Sequence, residues 1–226
     1  MSILRTSSTA HQHYTHLAYT LLRFAIISLL ALYMFAVASM EADAATWNVT
    51  AGADLQSVIN AAQPGDTILL EAGTVFVGPF TLPKKTGDDW ITIRTSTPDS
   101  ALPPAGTRIS PAHASLMPKL VSPGNADPAL QTAAGAHHYR LVGIEFRPID
   151  ATVTLFDLVK LGDGSLAQNT LEKVPHHLVI ERCYLHGFTE QPAKRGVALN
   201  SASTDILDSY FAEFKERGQD SQAIGG

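Results

Sequence analysis

Residues 53–73 read ADLQSVINAAQPGDTILLEAG, and this stretch contains the features of a short helix, a turn and a strand. Asp54 is a residue type that caps helix N-termini, and apolar residues follow it at i, i+3, i+4 and i+7. These apolar residues are Leu55, Val58, Ile59 and Ala62. The spacing places them on one face of a helix over 55–62, which Pro64 and Gly65 end. Residues 66–70 are then predicted to form a strand.

The rest of the chain after residue 45 alternates short apolar runs with turn residues. Residues 47–49, 80–82 and 90–94 have the composition of short strands, and the last of them alternates apolar and polar residues. The 16 glycines and 13 prolines fall between such runs, where they favour turns. No later segment keeps helical periodicity beyond one turn. The sequence therefore predicts an all-β domain that begins with one short helix.

Three segments repeat a pattern of residues at i, i+3 and i+5. The repeats are Leu141-Ile144-Phe146, Ile180-Cys183-Leu185 and Ile206-Ser209-Phe211. This spacing is expected where two strands meet at a two-residue turn, whose second position holds Gly143, Arg182 and Asp208. Stacked repeats bury like residues in columns, so Leu141, Ile180 and Ile206 should share one column inside a solenoid. Cys183 should be buried beside them.

Residues 53–73 resemble the opening of the pectin- and pectate-lyase-like β-helix proteins, in which a short amphipathic helix covers the first coil and a PGDTI turn leads into the ladder. This resemblance implies a right-handed parallel β-helix over residues 46–226. A covering helix makes physical sense, because the end of a solenoid exposes both a sheet edge and an open core. The superfamily contains lyases, hydrolases, esterases, epimerases, adhesins and phage spikes, so the resemblance implies a fold more narrowly than a function.

Residues 1–45 have the layout of a secretory signal peptide or an N-terminal membrane anchor. Phe24–Met40 is an uncharged run, Arg5 and Arg23 precede it, and small-x-small cleavage motifs occur at 36–38 and 42–44. The protein is therefore expected to be secreted, periplasmic or on the cell surface, with membrane contact only through an uncleaved leader. The chain ends at residues 221–226 (SQAIGG) with no recognisable cap, which predicts a fragment truncated at its C-terminus.

Bulk composition excludes some classes of function. The net charge of −5 gives no basic surface for nucleic acid. The single cysteine, Cys183, excludes a disulfide framework and a CxxC metal site. Oligomeric state is left open by the sequence.

The family resemblance implies a substrate groove along one sheet, here the strands at 158–161 and 197–200, walled by longer loops. Lyases of acidic polysaccharides need a cation to neutralise the uronate carboxylate and a base to remove the adjacent proton. Lys160, Lys194 and Arg195 are the catalytic candidates, the last two placed in loops. Asp163 is a candidate ligand of Ca²⁺, the cofactor that the resemblance implies. Loop residues of these types are also commonly just solvated surface.

Two columns outside the core are further candidates. Tyr184 and Tyr210 share an outward column with Glu145; they could stack against sugar rings or lie packed under a loop. His137-His138 aligns with His176-His177 one coil later, which makes His138 and His177 candidate metal ligands. The alternative is that both histidine pairs are stacked or solvated turn residues. The sequence places no carboxylate beside them.

These observations predict an exported β-helix that binds an acidic polysaccharide, with lyase chemistry as the favoured reaction and glycoside hydrolysis less favoured. The alternative is a non-catalytic module, either adhesin-like or structural. The sequence leaves open which of these readings is correct.

Overall fold

The computed structural model describes residues 19–29, 43–189, 193–215, 218 and 220–226. The chain divides into two compact units, Met1–Asp43 and Ala44–Gly226. In the first unit, residues 19–29 are helical and their side chains are exposed. Among the described residues, no helix has both the length and the apolar character needed to cross a membrane. Residues 30–40 of the apolar run Phe24–Met40 lie outside the described residues. So do the proposed cleavage motif at 36–38 and the first residue of the motif at 42–44.

In its described residues, the second unit consists of one α-helix, short 3₁₀ segments and many short strands. Helix α1 spans Leu55–Ala61. The 3₁₀ segments are Asp99–Ala101, Pro111–Leu116 and Leu171–Lys173. The strands are β1 (Thr46–Val49), β2 (Thr67–Leu70), β3 (Val75–Val77), β4 (Phe80–Leu82), β5 (Ile91–Thr95), β6 (Lys119–Ser122), β7 (Leu130–Thr132), β8 (His137–Val142), β9 (Glu145–Pro148), β10 (Leu155–Leu161), β11 (His176–Glu181), β12 (Tyr184–His186), β13 (Ala193–Leu199), β14 (Ala202–Leu207), β15 (Tyr210–Ala212) and β16 (Gln222–Gly225).

The strands form three parallel sheets, and the chain visits each sheet once per coil. Sheet A has the order β1-β2-β5-β8-β11-β14, sheet B has β15-β12-β9-β6-β3, and sheet C has β16-β13-β10-β7-β4. Each strand pairs in parallel with the strand one coil before or after it. This arrangement is a parallel β-helix with a short N-terminal helix, as the sequence predicted.

The predicted core column is confirmed. Leu141, Ile180 and Ile206 are in register on neighbouring strands of sheet A. Leu141 and Ile180 are fully buried, and Ile206 is partly buried against the same core. The column continues through Ile93 on β5 and Ile68 on β2, in the coils nearer the N-terminus. A second column in sheet B contains Phe76, Leu120, Phe146, Leu185 and Phe211.

The tight turn between sheets A and B has the predicted left-handed backbone. Gly143, Arg182 and Asp208 have φ values of 65°, 49° and 50°. Glycine takes this conformation without steric cost, whereas arginine does not. Arg182 is held there by ion pairs to Asp99 at 3.0 Å and to Glu181 at 3.1 Å.

The structure has two coils that the repeat pattern did not detect. These coils are β2-β3-β4 and β5-β6-β7. The i, i+3, i+5 spacing requires a two-residue turn between sheets A and B. In the second coil, residues 96–118 separate β5 from β6 instead, and this long loop removes the repeat from the sequence.

Helix α1 packs against the first coil. Leu55 and Ile59 are buried in the core, and Val58 packs against it while partly exposed. Asp54 accepts a hydrogen bond from the Ser57 amide at 3.0 Å, as an N-cap should. Gln56 exchanges two hydrogen bonds with the backbone of Thr81, at 2.8 and 2.9 Å. The helix is thereby fixed to β4.

Cys183 should be nearly inert in the folded protein. Its side chain is fully buried, and burial raises the pKa of the thiol to about 12. The thiolate is the reactive form, so we expect a soluble thiol reagent to label the native protein at least about 100-fold more slowly than the unfolded protein. Quenching the labelling reaction at successive times and measuring the labelled fraction by mass spectrometry gives both rates. Equal rates in the absence and presence of denaturant would contradict the packing described here.

Candidate functional site

A cleft of about 290 Å³ lies on sheet C beside the loop of residues 162–175. Most of its lining is polar, and it contains two lysines and one carboxylate. The lining residues are Thr81, Gln131, Thr132, Ala133, Ala134, Lys160, Gly162, Asp163, Ala167, Gln168, Lys173 and Pro175. Of the residues that the sequence proposed, Lys160 and Asp163 are therefore brought together here.

The floor of the cleft is a row of ladder partners on successive strands. Thr81, Gln131 and Lys160 line the cleft and are in register on β4, β7 and β10, and the buried Ala198 on β13 continues the row outside the cleft. Lys160 is flanked by Val159 and Leu161, which are both buried. Because side chains alternate along a strand, burial of these two neighbours directs Lys160 away from the core. Within the described residues, Lys160 forms no ion pair.

The loop 162–175 forms a wall of the cleft through its own hydrogen bonds. Asp163 accepts from the Ser165 amide at 2.9 Å, and this bonding lowers the pKa of the carboxyl, with a smaller contribution from the Lys160 charge. Gln168 Oε1 accepts from the Asp163 amide at 2.9 Å, and its Nε2 donates to the Asn200 carbonyl at 2.7 Å. The loop is therefore tied to the turn after β13.

The cleft does not fit the Ca²⁺ ion that the family resemblance implies. Calcium takes six to eight oxygen ligands, usually including several carboxylates. Among the described lining residues, Asp163 is the one carboxylate, and it is bonded to Ser165 within its own loop. The role predicted for Asp163 as a calcium ligand therefore gains no support from its surroundings.

Lys194 and Arg195 lie in strand β13, so their predicted placement in a loop was wrong. Neither residue lines the cleft. Arg195 is in register with Asp157 on β10, and its Nε donates to Asp157 Oδ1 at 2.6 Å. This ion pair links two successive coils.

The two histidine pairs form a ladder at the start of β8 and β11. The ring of His137 stacks on that of His176, with centroids 5.0 Å apart, and His138 stacks on His177 at 4.8 Å. The expectation of no nearby carboxylate was wrong: Asp88 lies with His137 and His138, with ligand atoms all within 4.8 Å of one another. Asp88 comes from the segment before β5, which the repeat pattern does not align with β8.

The observed surroundings of the column Glu145, Tyr184 and Tyr210 also differ from those predicted. Glu145 was expected to face solvent but is only 5% exposed. Its carboxylate contacts Lys119 Nζ and His186 Nε2, each at 3.1 Å. Burial alone would raise the pKa of Glu145, but hydrogen bonds from these two residues outweigh burial and lower it.

Tyr184 and Tyr210 are both partly buried. Tyr184 stacks on His186, with centroids 4.2 Å apart, and contacts Tyr210 at 5.7 Å. The Arg108 guanidinium, from the long loop 96–118, lies 5.4 Å from the centroid of Tyr210. This arrangement agrees with the alternative in which a loop packs on the tyrosines.

A second, larger groove lies on sheet A and was not foreseen. Its volume is about 580 Å³, and Arg94, Arg140 and Arg182 line it. All three arginines are in ion pairs, because Arg94 and Arg182 contact Asp99 and Arg140 contacts Glu181. The sequence could not assemble this network, since Asp99 belongs to the loop 96–118 and reaches sheet A only through the fold.

Comparison with known proteins bears on the fold alone. No protein-family model matches the sequence, and no curated protein matches it either. Among solved structures, the chain is similar to the crystal structure of an alginate lyase from Paenibacillus sp. str. FPU-7, with a TM-score of 0.51 and 18% sequence identity. The match covers 73% of this chain and 44% of the alginate lyase, so the chain spans less than half of that protein's length.

Proposed function

We propose that this chain is exported and binds an acidic polysaccharide along the sheet C cleft, where it cleaves the polymer by β-elimination. The observation that supports this most is Lys160, a cation without an ion pair among the described residues, on a polar row of ladder residues that crosses several coils. A polyanion laid along such a row meets positive charge without displacing a carboxylate. The structural likeness to an alginate lyase is compatible with this substrate class.

Elimination requires a positive charge beside the uronate carboxylate and a group that transfers the proton, and the two lysines of the cleft can supply one role each. Lys173 Nζ donates to the Ala167 carbonyl at 3.1 Å and to Asn169 Oδ1 at 3.0 Å, and these bonds position its ammonium group to offset the uronate carboxylate. Among the described residues, Lys160 has no such partners, and it is assigned the proton transfer. In its neutral amine form, Lys160 takes the proton adjacent to the carboxylate, the electron pair of that C–H bond forms a C=C bond, and the glycosidic C–O bond breaks. The leaving oxygen then takes a proton from the resulting Lys160 ammonium.

Replacing Lys160 tests this proposal. The full chain is assayed on pectate, alginate and chondroitin by the ultraviolet absorbance of the unsaturated product. We expect Lys160→Ala to lower kcat by at least about 100-fold on the substrate that is cleaved, because a positioned acid or base contributes about that much. Circular dichroism confirms that the variant is folded.

Lys215→Ala is the matched control, since Lys215 is an exposed lysine paired with Glu213 and lies outside the cleft. It should retain wild-type turnover. Equal turnover by Lys160→Ala and Lys215→Ala would reject the assignment of Lys160. If the wild-type chain binds one of the three polymers and releases no unsaturated product, the non-catalytic binding module replaces the lyase.

A further inference from the structure

The backbone brings neighbouring histidines to the same side of the strand. Consecutive residues in a strand normally point to opposite faces. His138 and His177, however, have φ values of 57° and 51°, in the left-handed region that non-glycine residues seldom adopt. His137 Nδ1 and His138 Nδ1 consequently lie 2.8 Å apart, and the corresponding nitrogens of His176 and His177 lie 2.7 Å apart.

The pair His137 and His138 contacts groups that the pair His176 and His177 does not. Asp88 completes a set of three potential ligands with His137 and His138. Trp90 packs edge-on against the His138 ring, with centroids 5.2 Å apart. His137 is buried, His138 is partly buried and Asp88 is exposed, so the set opens to solvent on the side of Asp88.

We propose that His137, His138 and Asp88 bind one divalent first-row transition-metal ion of the Ni²⁺, Cu²⁺ and Zn²⁺ group. Imidazole is a preferred ligand for these metals, whereas Mg²⁺ and Ca²⁺ prefer sites made of oxygen. Two nitrogens that occupy adjacent corners of a square or octahedron lie about 2.9 Å apart when each is about 2.0–2.1 Å from the ion. The spacing of His137 Nδ1 and His138 Nδ1 is close to this value.

The surroundings keep the rings ready to bind. The stacked pair His176 and His177 lies against both ligand rings and limits their rotation. This site is separate from the sheet C cleft and does not depend on the function proposed for it.

Metal titration of the full, untagged chain in non-ionic detergent tests the site. His11, His13 and His16 are replaced by Gln in every protein, so that leader histidines make no contribution. We expect saturable binding of NiCl₂ and ZnCl₂ by calorimetry and none of CaCl₂ or MgCl₂. With Cu²⁺, electron paramagnetic resonance should show two coupled imidazole nitrogens. His138→Asn should leave one coupled nitrogen and weaken Ni²⁺ binding at least about 10-fold. Losing a residue that only hydrogen-bonds to a metal ligand already lowers affinity by about that factor, so losing a ligand should cost no less.

The substitutions are matched so that a folding defect cannot imitate the result. Asparagine tolerates the left-handed backbone at position 138, and His113→Asn makes the same change at a histidine outside the ladder. Asp88→Asn should also weaken binding, whereas its neighbour Asp89→Asn should not. Wild-type affinity in both His138→Asn and Asp88→Asn would overturn the proposal. So would a Cu²⁺ spectrum that His138→Asn leaves unchanged.

Discussion

The Ile59→Asp variant should lose about 4 kcal/mol or more of its free energy of unfolding. Ile59 is 1% exposed and belongs to the core cluster that α1 covers. Removing a large buried aliphatic side chain alone costs about 2–5 kcal/mol, and burying a carboxyl group without a partner adds to that cost. Solenoids depend on their terminal caps, so the loss should affect the first coils as well as the helix. Denaturant unfolding followed by circular dichroism measures the change.

The neighbouring residue provides a matched control. Asn60 is exposed on the same helix, so Asn60→Asp introduces the same carboxyl group outside the core. It should change the free energy of unfolding by less than about 0.5 kcal/mol. Val58→Asp should fall between the two, because Val58 packs on the core but is partly exposed. If Ile59→Asp and Asn60→Asp unfold at the same denaturant concentration, α1 is not a cap.

The fold was predictable because its determinants are local. The cap helix follows from the spacing of Leu55, Val58 and Ile59, and the strand column follows from a repeat with a two-residue turn. Every coil in which that turn is kept was found, with Cys183 buried as expected. The repeat pattern did not detect the two earlier coils because neither has the two-residue turn: residues 71–74 separate β2 from β3, and residues 96–118 separate β5 from β6.

The candidate site was predictable only where register decides it. Lys160 lines the sheet C cleft, because strand alternation and coil register fix its side of sheet C. Asp88 and Asp99 were not connected to their partners, because each comes from a segment whose path no periodic pattern determines. Glu145 shows a related limit. Its outward position was predicted, but its burial depends on Lys119, Arg147 and His186 closing around it.

Gly162→Ala should destabilise both the coil and the cleft. Gly162 has a φ of +85°, where a side chain costs roughly 1–2 kcal/mol. An added Cβ would also lie 2.2 Å from the carbonyl oxygen of Asn200, a backbone atom of the next coil that cannot rotate away. We expect a loss of at least about 2 kcal/mol in the free energy of unfolding.

The damage should extend to the cleft, because Asn200 connects the two coils there. Its amide donates to the Leu161 carbonyl at 2.8 Å, and its carbonyl accepts from Gln168 in the cleft wall. Hydrogen exchange at the Asn200 amide should therefore accelerate in Gly162→Ala. Gly164→Ala is the control, since its added Cβ would meet only the Asn200 side chain, at 3.5 Å or more. Equal stability and equal exchange in the two variants would show that the coils can separate at Gly162, and the cleft would then not be held in the geometry that Lys160 requires.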